Sequence, residues 1–242
     1  MLNKSRVDFE GVIFDFDNTL VDTASSIREA YKHVFSAISK DFNADINKLI
    51  QESENFQKEK MEELALSKVS YSHADWIAPI AARLSIELGD KEEKYKQLFY
   101  SYVTDNPIFS QDTLTLIKEL KMGGKKLALL TERDNVSGMK MKRIEKTPFG
   151  DYFDIIVIAG ETTTLRKTDG NSALFFETAR SLGISAKSIL MVGDRPDLDI
   201  QGSKEAGMKA ILFTGYINQG EFSSHKADFV ANSVSDLKNI ML

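Results

Sequence analysis

Between Asp22 and Asp105 apolar residues return at helical intervals. Ile27, Tyr31, Val34, Phe35 and Ile38 form one stripe, Trp76, Ile77, Ile80, Ala81, Leu84 and Leu88 a second, and Tyr95, Leu98, Phe99, Tyr102 and Val103 a third. Steps of three and four residues put such positions on one face of an α-helix, and that face needs a partner to cover it. Of the chain's 14 glycines only Gly89 falls between Val21 and Asp105, and the only proline there is Pro79. Gly and Pro punctuate turns, so their scarcity predicts long helices, four or five of them in a small bundle. The first has two candidate starts: a capping box of Ser26 with Glu29, or an earlier cap at Asp22 or Thr23.

Outside this stretch the pattern changes to short apolar runs alternating with helical ones. The runs are Val12–Phe16, Leu127–Leu130, Ile155–Ala159, Ile189–Val192 and Ala210–Phe213. Strands apolar on both faces and joined by helices predict a parallel sheet covered on two sides. One connecting helix is expected over Asn171–Leu182, with Leu174, Phe175, Thr178, Ala179 and Leu182 on one face and Gly183 ending it. The predicted fold is therefore α/β: a doubly wound, Rossmann-like parallel-sheet core over residues 1–20 and 106–242, with an inserted all-helical domain over 21–105. Hinges are expected at Leu20–Thr23 and Asp105–Ser110.

Composition narrows the chemistry. The chain has 242 residues, 31 Lys plus Arg against 36 Asp plus Glu, no Cys and three His. A net charge of −5 argues against a nucleic-acid polymer as partner, because phosphate neutralisation needs clustered cations. Lack of Cys excludes a disulfide framework, a thiolate nucleophile and thiolate zinc ligation. No apolar run approaches the roughly 20 residues of a membrane span, and Met1–Glu10 lacks a secretory apolar segment, so a cytoplasmic protein is expected. Any catalysis must rest on carboxylates, hydroxyls and lysines.

Ligands of doubly wound sheets bind beyond the carboxyl ends of the strands. The first run ends in Phe14-Asp15-Phe16-Asp17-Asn18-Thr19-Leu20, where Asp15 and Asp17 are two residues apart. On a strand such carboxylates share a face, and like charges that close call for a cation. The second run ends in Thr131, the loop before the Asn171 helix carries Arg166-Lys167, and the fourth run ends in Val192-Gly193-Asp194-Arg195-Pro196-Asp197-Leu198-Asp199. Several carboxylates converging on one cleft, with oxygen-only ligation, favour Mg²⁺. A hydroxyl and a lysine opposite it complete the recognition of a phosphoryl group.

This order, Asp15-x-Asp17-x-Thr19, Thr131, Lys167 and Gly193-Asp194-x-x-x-x-Asp199, resembles the four motifs of the haloacid dehalogenase-like (HAD) hydrolase superfamily, with a helical cap inserted after the first motif. The resemblance spans essentially the whole chain and implies strand order 5-4-1-2-3. It further implies a Mg²⁺-dependent phosphatase acting on a small phosphate monoester, of phosphoglycolate, sugar or triose phosphate or nucleotide type, through an aspartyl-phosphate. By that resemblance Asp15 is the nucleophile and Asp17 the general acid and base. Thr131 and Lys167 bind the phosphoryl group, and Asp15, Asp17 (through its backbone carbonyl), Asp194 and Asp199 are the metal set. Asp197 is read as a cap.

Three features bear on the match to the family pattern, one being the Asp194-to-Asp199 spacing, the longer of the two variants the family uses. Glu132 follows Thr131 where Asn is frequent, and an acidic side chain there must point away from phosphate. Lys167 is followed by Thr168-Asp169-Gly170 instead of Pro, which leaves Arg166 as an alternative cation. Substrate-binding candidates are Thr131, Glu132, Lys167, Asp22 and Thr23, with His33, Tyr71, His73 and Trp76 as further cap contacts.

A phosphomutase would use the same set. A dehalogenase would lack the second carboxylate at the Asp17 position, and a receiver domain would lack the 85-residue insertion, which reads as a lid that excludes water. A non-catalytic phosphate-binding protein is the remaining alternative. From Asp22 to Asn106 there are 11 basic and 15 acidic residues, so most of the net charge sits on the helical insertion. Oligomeric state is left open.

Overall fold

The computed structural model describes residues 7–64, 72–167, 172–217 and 226–242. The chain divides into two compact units, one formed by residues up to Ala24 together with Pro107–Leu242, the other by Ser25–Asn106.

The larger unit holds a six-stranded parallel sheet. Its strands are β1 (Gly11–Phe14), β2 (Lys126–Glu132), β3 (Ile155–Ala159), β4 (Ile189–Gly193), β5 (Lys209–Phe213) and β6 (Phe229–Ala231), in the order β3-β2-β1-β4-β5-β6. The five apolar runs become the first five strands. The sixth, only three residues long, was not anticipated from the pattern.

Alternation along the strands sorts the core into two layers. Val12, Phe14, Leu127, Leu129, Leu190, Val192, Ile211 and Phe213 face one way, packing with Leu116, Ile117 and Leu120 of α5 (Gln111–Met122) and Leu237 and Met241 of another helix over Val234–Met241. Ile13, Ala128, Leu130, Met191, Ala210 and Leu212 face the other way, onto Leu174, Phe175, Ala179 and Leu182 of the helix Ala173–Leu182. Burying a large aliphatic or aromatic side chain contributes about 1.5–3 kcal/mol, so each layer holds its helices against the loss of chain entropy. The Ala173 helix starts two residues later than expected; Asn171 and Thr168-Asp169-Gly170 lie outside the described residues. It ends at Gly183 in the left-handed region (φ 70°), where a side chain would be strained.

Pairing places the functional end of the sheet. Phe14 stands opposite Leu129 on one side and Val192 on the other, so Asp15, Thr131 and Asp194 emerge together at the carboxyl ends of the three central strands.

The smaller unit contains α1 (Thr23–Phe42, whose first two residues belong to the larger unit), α2 (Ile46–Leu64), α3 (Ile77–Arg83) and α4 (Glu92–Asp105). Because α1 begins at Thr23, Ser26 with Glu29 lies inside the helix and does not start it. Tyr31, Val34, Phe35, Ile38, Ile77, Ile80, Ala81, Tyr95, Phe99 and Val103 are buried, as their helical spacing predicts. The second stripe is shorter than its spacing suggests. A 3₁₀ turn over His73–Trp76 precedes α3, and the helix stops before Leu84, with Ser85 at positive φ (59°). The compact unit begins at Ser25 where the sequence suggests Val21, because Thr23 and Ala24 are tied back to the loop after β1. Among the described residues no helix is long and apolar enough to cross a membrane.

His73 and Trp76 are core residues of this unit. The His73 ring meets those of Trp76 (4.7 Å) and Tyr31 (6.3 Å) edge-on, and the Tyr31 hydroxyl donates to the His73 carbonyl at 2.7 Å. Burial pushes the His73 imidazole down to about 4. Between about pH 6.5 and 4 the unfolded state therefore takes up a proton that the folded state does not, so stability falls as pH drops through that window and levels off below it. The full loss is about 3 kcal/mol. Urea unfolding followed by fluorescence of the chain's one tryptophan, Trp76, should show it, and His73→Gln should flatten the decline.

Candidate active site

β1 runs through Asp15 into a tight turn. The Val21 and Leu20 amides donate to the Phe16 carbonyl, Asn18 adopts positive φ (53°), and its side chain accepts from the Ala24 amide at 3.0 Å. Asn suits this place because its short polar side chain tolerates the left-handed region and caps the chain locally. Asp15 and Asp17 are thereby held at one cavity of about 170 Å³, lined by polar side chains that include Thr131, Lys167, Asp194 and Asp199. Sites for drug-sized organic ligands run about 300–1,000 Å³, so this one matches a small polar group.

Asp15, Asp194 and Asp199 are all buried, and each offers an oxygen within 4.8 Å of the others'. Lys167 lies between two of them: its Nζ donates to Asp15 Oδ1 at 2.6 Å and to Asp199 Oδ1 at 2.7 Å. One ammonium does not neutralise three carboxylates. Burial, with repulsion from Asp199 and Asp17 opposing Lys167, pushes Asp15 up to about 7; burial and then Asp15 and Asp199 push Asp194 well above the usual range. Burial alone would lower Lys167, but the two carboxylates it touches raise it, so it stays charged. An all-oxygen donor set with uncompensated negative charge fits a hard divalent cation.

The five-residue spacing from Asp194 to Asp199 has a structural cause. Pro196–Ile200 forms a π-helical turn in which the Ile200 amide donates to the Arg195 carbonyl at 3.2 Å, and this wide turn returns Asp199 to the strand end. There Asp199 Oδ2 accepts from the Arg195 amide at 3.1 Å. Gly193 leaves room for it, since a Cβ at that position would overlap the Asp199 carboxylate. Asp197 instead points outward and pairs with the Arg195 guanidinium at 2.9–3.0 Å, making no side-chain cap. Gly193→Ala should displace Asp199 and thereby Lys167. We expect an overpacking cost of about 1–3 kcal/mol, read as a lowered urea midpoint. Turnover should fall with it even under conditions where the variant is fully folded.

The sequence expectation for the metal set concerns the Asp17 backbone carbonyl alone, and its carboxylate is not one of the trio. It contacts Lys140 Nζ, Arg143 Nη2 (2.6 Å) and the Thr23 hydroxyl (2.6 Å). Burial would raise it, yet Arg143 and Lys140 hold it far below the usual carboxylate range. Thr23, expected to touch substrate, is buried in this contact and accepts from Arg143 at 3.0 Å. Neither Thr23 nor Asp22 lines the cavity.

Glu132 lines the cavity, but its carboxylate is engaged. It accepts from Arg166 Nε at 2.6 Å and from the Lys167 amide. Arg166 thus pairs with Glu132, while Lys167 reaches Asp15 and Asp199. Thr131 is buried at the end of β2, its hydroxyl making only a long contact (3.4 Å) to the Glu132 carbonyl. Of the remaining candidates, His33 is exposed and its ring lies tilted against that of Tyr102 (4.9 Å), and Tyr71 lies outside the described residues. Lys140, Arg143 and Asp134 carried no sequence signal, because Met139-Lys140-Met141-Lys142-Arg143 reads as an ordinary basic helix.

The haloacid dehalogenase-like hydrolase family profile matches residues 12–213. The chain is 28% identical to the N-acylneuraminate-9-phosphatase of Homo sapiens, covering 98% of this chain and 94% of that one. It is 27% identical to the phosphoglycolate phosphatase of Aquifex aeolicus, covering 95% of each. Among solved structures the fold is similar to the HAD-hydrolase YfnB of Bacillus subtilis, described as bound to magnesium, with a TM-score of 0.75, 15% identity and coverage of 97% and 99%.

Proposed function

Because the chain belongs to the haloacid dehalogenase-like hydrolase family, we propose that it is a Mg²⁺-dependent phosphatase hydrolysing a small phosphate monoester through an aspartyl-phosphate on Asp15. One observation carries the reading: Asp15 stands at a strand end with Lys167, Asp194 and Asp199, while Asp17 lines the same cavity but stays outside that cluster. Relatives named as phosphatases of phosphoglycolate and N-acylneuraminate 9-phosphate support the substrate class.

Asp15, Asp194 and Asp199 would hold the Mg²⁺, which when bound supplies positive charge that offsets the phosphate dianion. In the first step an Asp15 carboxylate oxygen bonds to phosphorus, the bond to the leaving alcohol oxygen breaks, and that oxygen takes a proton from Asp17, which Lys140 and Arg143 keep ionised in the free protein and which therefore must take up its proton from solvent with the phosphate dianion in place. Lys167 keeps the attacking carboxylate in place and lowers its repulsion from the phosphoryl oxygens. The Thr131 hydroxyl donates to one of those oxygens. In the second step water attacks the phosphorus of the aspartyl-phosphate, the bond to Asp15 breaks, and ionised Asp17 accepts the water's proton, releasing inorganic phosphate.

The Asp17 carboxylate also separates this reading from a dehalogenase, which has no leaving alcohol to protonate. Phosphate release from phosphoglycolate, triose and sugar phosphates and nucleotides, read as kcat/KM with Mg²⁺ and with EDTA, tests the proposal. We expect release that EDTA abolishes and added Mg²⁺ restores. Activity indifferent to EDTA, or conversion of a sugar phosphate to its isomer without free phosphate, would overturn it.

A further inference from the structure

A short helix after β2, α6 (Met139–Glu145), carries two of the most deeply buried cations in the larger unit. Lys140 is 2% exposed and Arg143 5%. Arg143 spans two carboxylates, donating from Nη1 to Asp134 Oδ1 at 3.0 Å and from Nη2 to Asp17 Oδ1 at 2.6 Å. Lys140 Nζ contacts the same pair, Asp134 at 2.9 Å and the other oxygen of Asp17. The Phe16 ring, between the two motif aspartates, packs beside both cations at 5.7 and 5.5 Å. Two cations and two carboxylates balance, so this quartet of buried cations and half-buried carboxylates carries no net charge, unlike the neighbouring trio.

Both oxygens of Asp17 are taken from fixed directions, one by Lys140 and one by Arg143 with Thr23. A carboxylate held at both oxygens cannot rotate freely. In particular it is kept from swinging onto the cluster of Asp15, Asp194 and Asp199, of which Asp15 is two residues away along the chain.

We propose that Lys140 and Arg143 are positioning residues for Asp17: they keep the fourth carboxylate out of the cation cluster and set where it meets the leaving-group oxygen. The assignment rests on the phosphatase reading above. It gives α6 a task that its sequence does not advertise, and it places the acid-base group under the control of a helix remote from the first motif. The salt bridges are not there for stability alone, since buried ion pairs are often no more stabilising than apolar replacements.

Protonation of the leaving group matters most when the departing oxygen is a poor leaving group, and little when it departs readily as an anion. A series of substituted phenyl phosphates, from p-nitrophenyl to unsubstituted phenyl phosphate, therefore reads Asp17's placement directly. Arg143→Met combined with Asp134→Asn removes the fork while keeping the quartet's charge balanced, and thermal melting checks that the variant folds. Arg143→Lys keeps the charge but not the fork and serves as a gentler second variant.

We expect the double variant to lose about tenfold more kcat/KM on phenyl phosphate than on p-nitrophenyl phosphate, steepening the dependence on leaving-group pKa, a part of the full general-acid contribution of about 10²–10⁴. Arg143→Lys should lie between it and the wild type. An equal loss across the series in folded variants would show a merely structural role and overturn the proposal. Absence of Mg²⁺-dependent hydrolysis in the wild type would instead overturn the phosphatase reading.

Discussion

Asp15→Asn is expected to lower turnover on the order of 10⁴-fold or more while leaving the fold intact, as removal of a covalent nucleophile does elsewhere. The side chain keeps its shape, and its amide oxygen can still accept from Lys167 Nζ, now at 2.6 Å from Asp15 Oδ1. What disappears is the anionic oxygen proposed to bond to phosphorus. The same substitution should stabilise the metal-free protein, because it reduces three buried carboxylates facing one ammonium to two. A gain of about 1 kcal/mol corresponds to about 2–4 °C in Tm for a domain of this size. Phosphate release and a melting curve measured with EDTA together check both halves. Turnover within about tenfold of the wild type would remove Asp15 from the nucleophile's role.

Lys167→Met should damage both fold and activity. Lys167 is the cation that hydrogen-bonds Asp15 and Asp199, and its removal leaves both carboxylates buried beside Asp194. Breaking a buried ion pair by deleting one partner costs about 3–5 kcal/mol, well above the effect of a surface substitution. Loss of charge stabilisation at the phosphoryl group should lower kcat by about 10²–10³-fold in addition. Mg²⁺ should raise the Tm of Lys167→Met more than that of the wild type, because a bound cation replaces the missing charge and stabilises the folded state by mass action. Equal Mg²⁺-induced shifts in the two proteins would contradict a cation site at this cluster.

These two substitutions act in opposite directions on stability although they alter partners in one hydrogen bond. The difference follows from the charge balance of the cluster: it has carboxylate in excess, so removing an anion relieves it and removing the cation worsens it. The Asp17 quartet, where the charges balance, should respond in the ordinary way, each single deletion being unfavourable.

The strand runs could be read from sequence because each central strand is covered on both faces, and continuous burial leaves a continuous apolar run. β6 escaped the same reading. It has three residues, Phe229-Val230-Ala231, and Val230 at its centre is 43% exposed, so the apolar run there is too short to register. The stripe from Trp76 to Leu88 led the other way. Its spacing is helical throughout, but backbone geometry at Ser85 ends the helix while Leu88 is buried from a non-helical segment.

At the active site the residues at strand ends were legible, since Asp15, Thr131 and Asp194 interrupt apolar runs where a parallel sheet opens to ligand. Their partners were less so. Glu132 looked like an obstacle to phosphate binding, and it instead anchors Arg166 and the Lys167 backbone. Arg166 looked like an alternative cation, and that anchor draws it to Glu132, away from Asp15 and Asp199. Asp197 and Asp199 are both acids near a helix start, and only the π-helical turn separates the outward one from the inward one.

Taken by itself, the sequence determined the alternation of strand and helix, the helical insertion after the first strand, and which acids stand at the sheet's carboxyl end. These depend on local period and on the order of segments. Only the tertiary structure decided how the acids divide, three of them around Lys167 and the fourth between Lys140 and Arg143. Asp17 and Arg143 are 126 positions apart, and nothing in the period of either segment specifies that they meet. A buried charge is settled by its partner, and the partner is chosen by the packing of α6 beside the loop after β1, which local pattern does not encode.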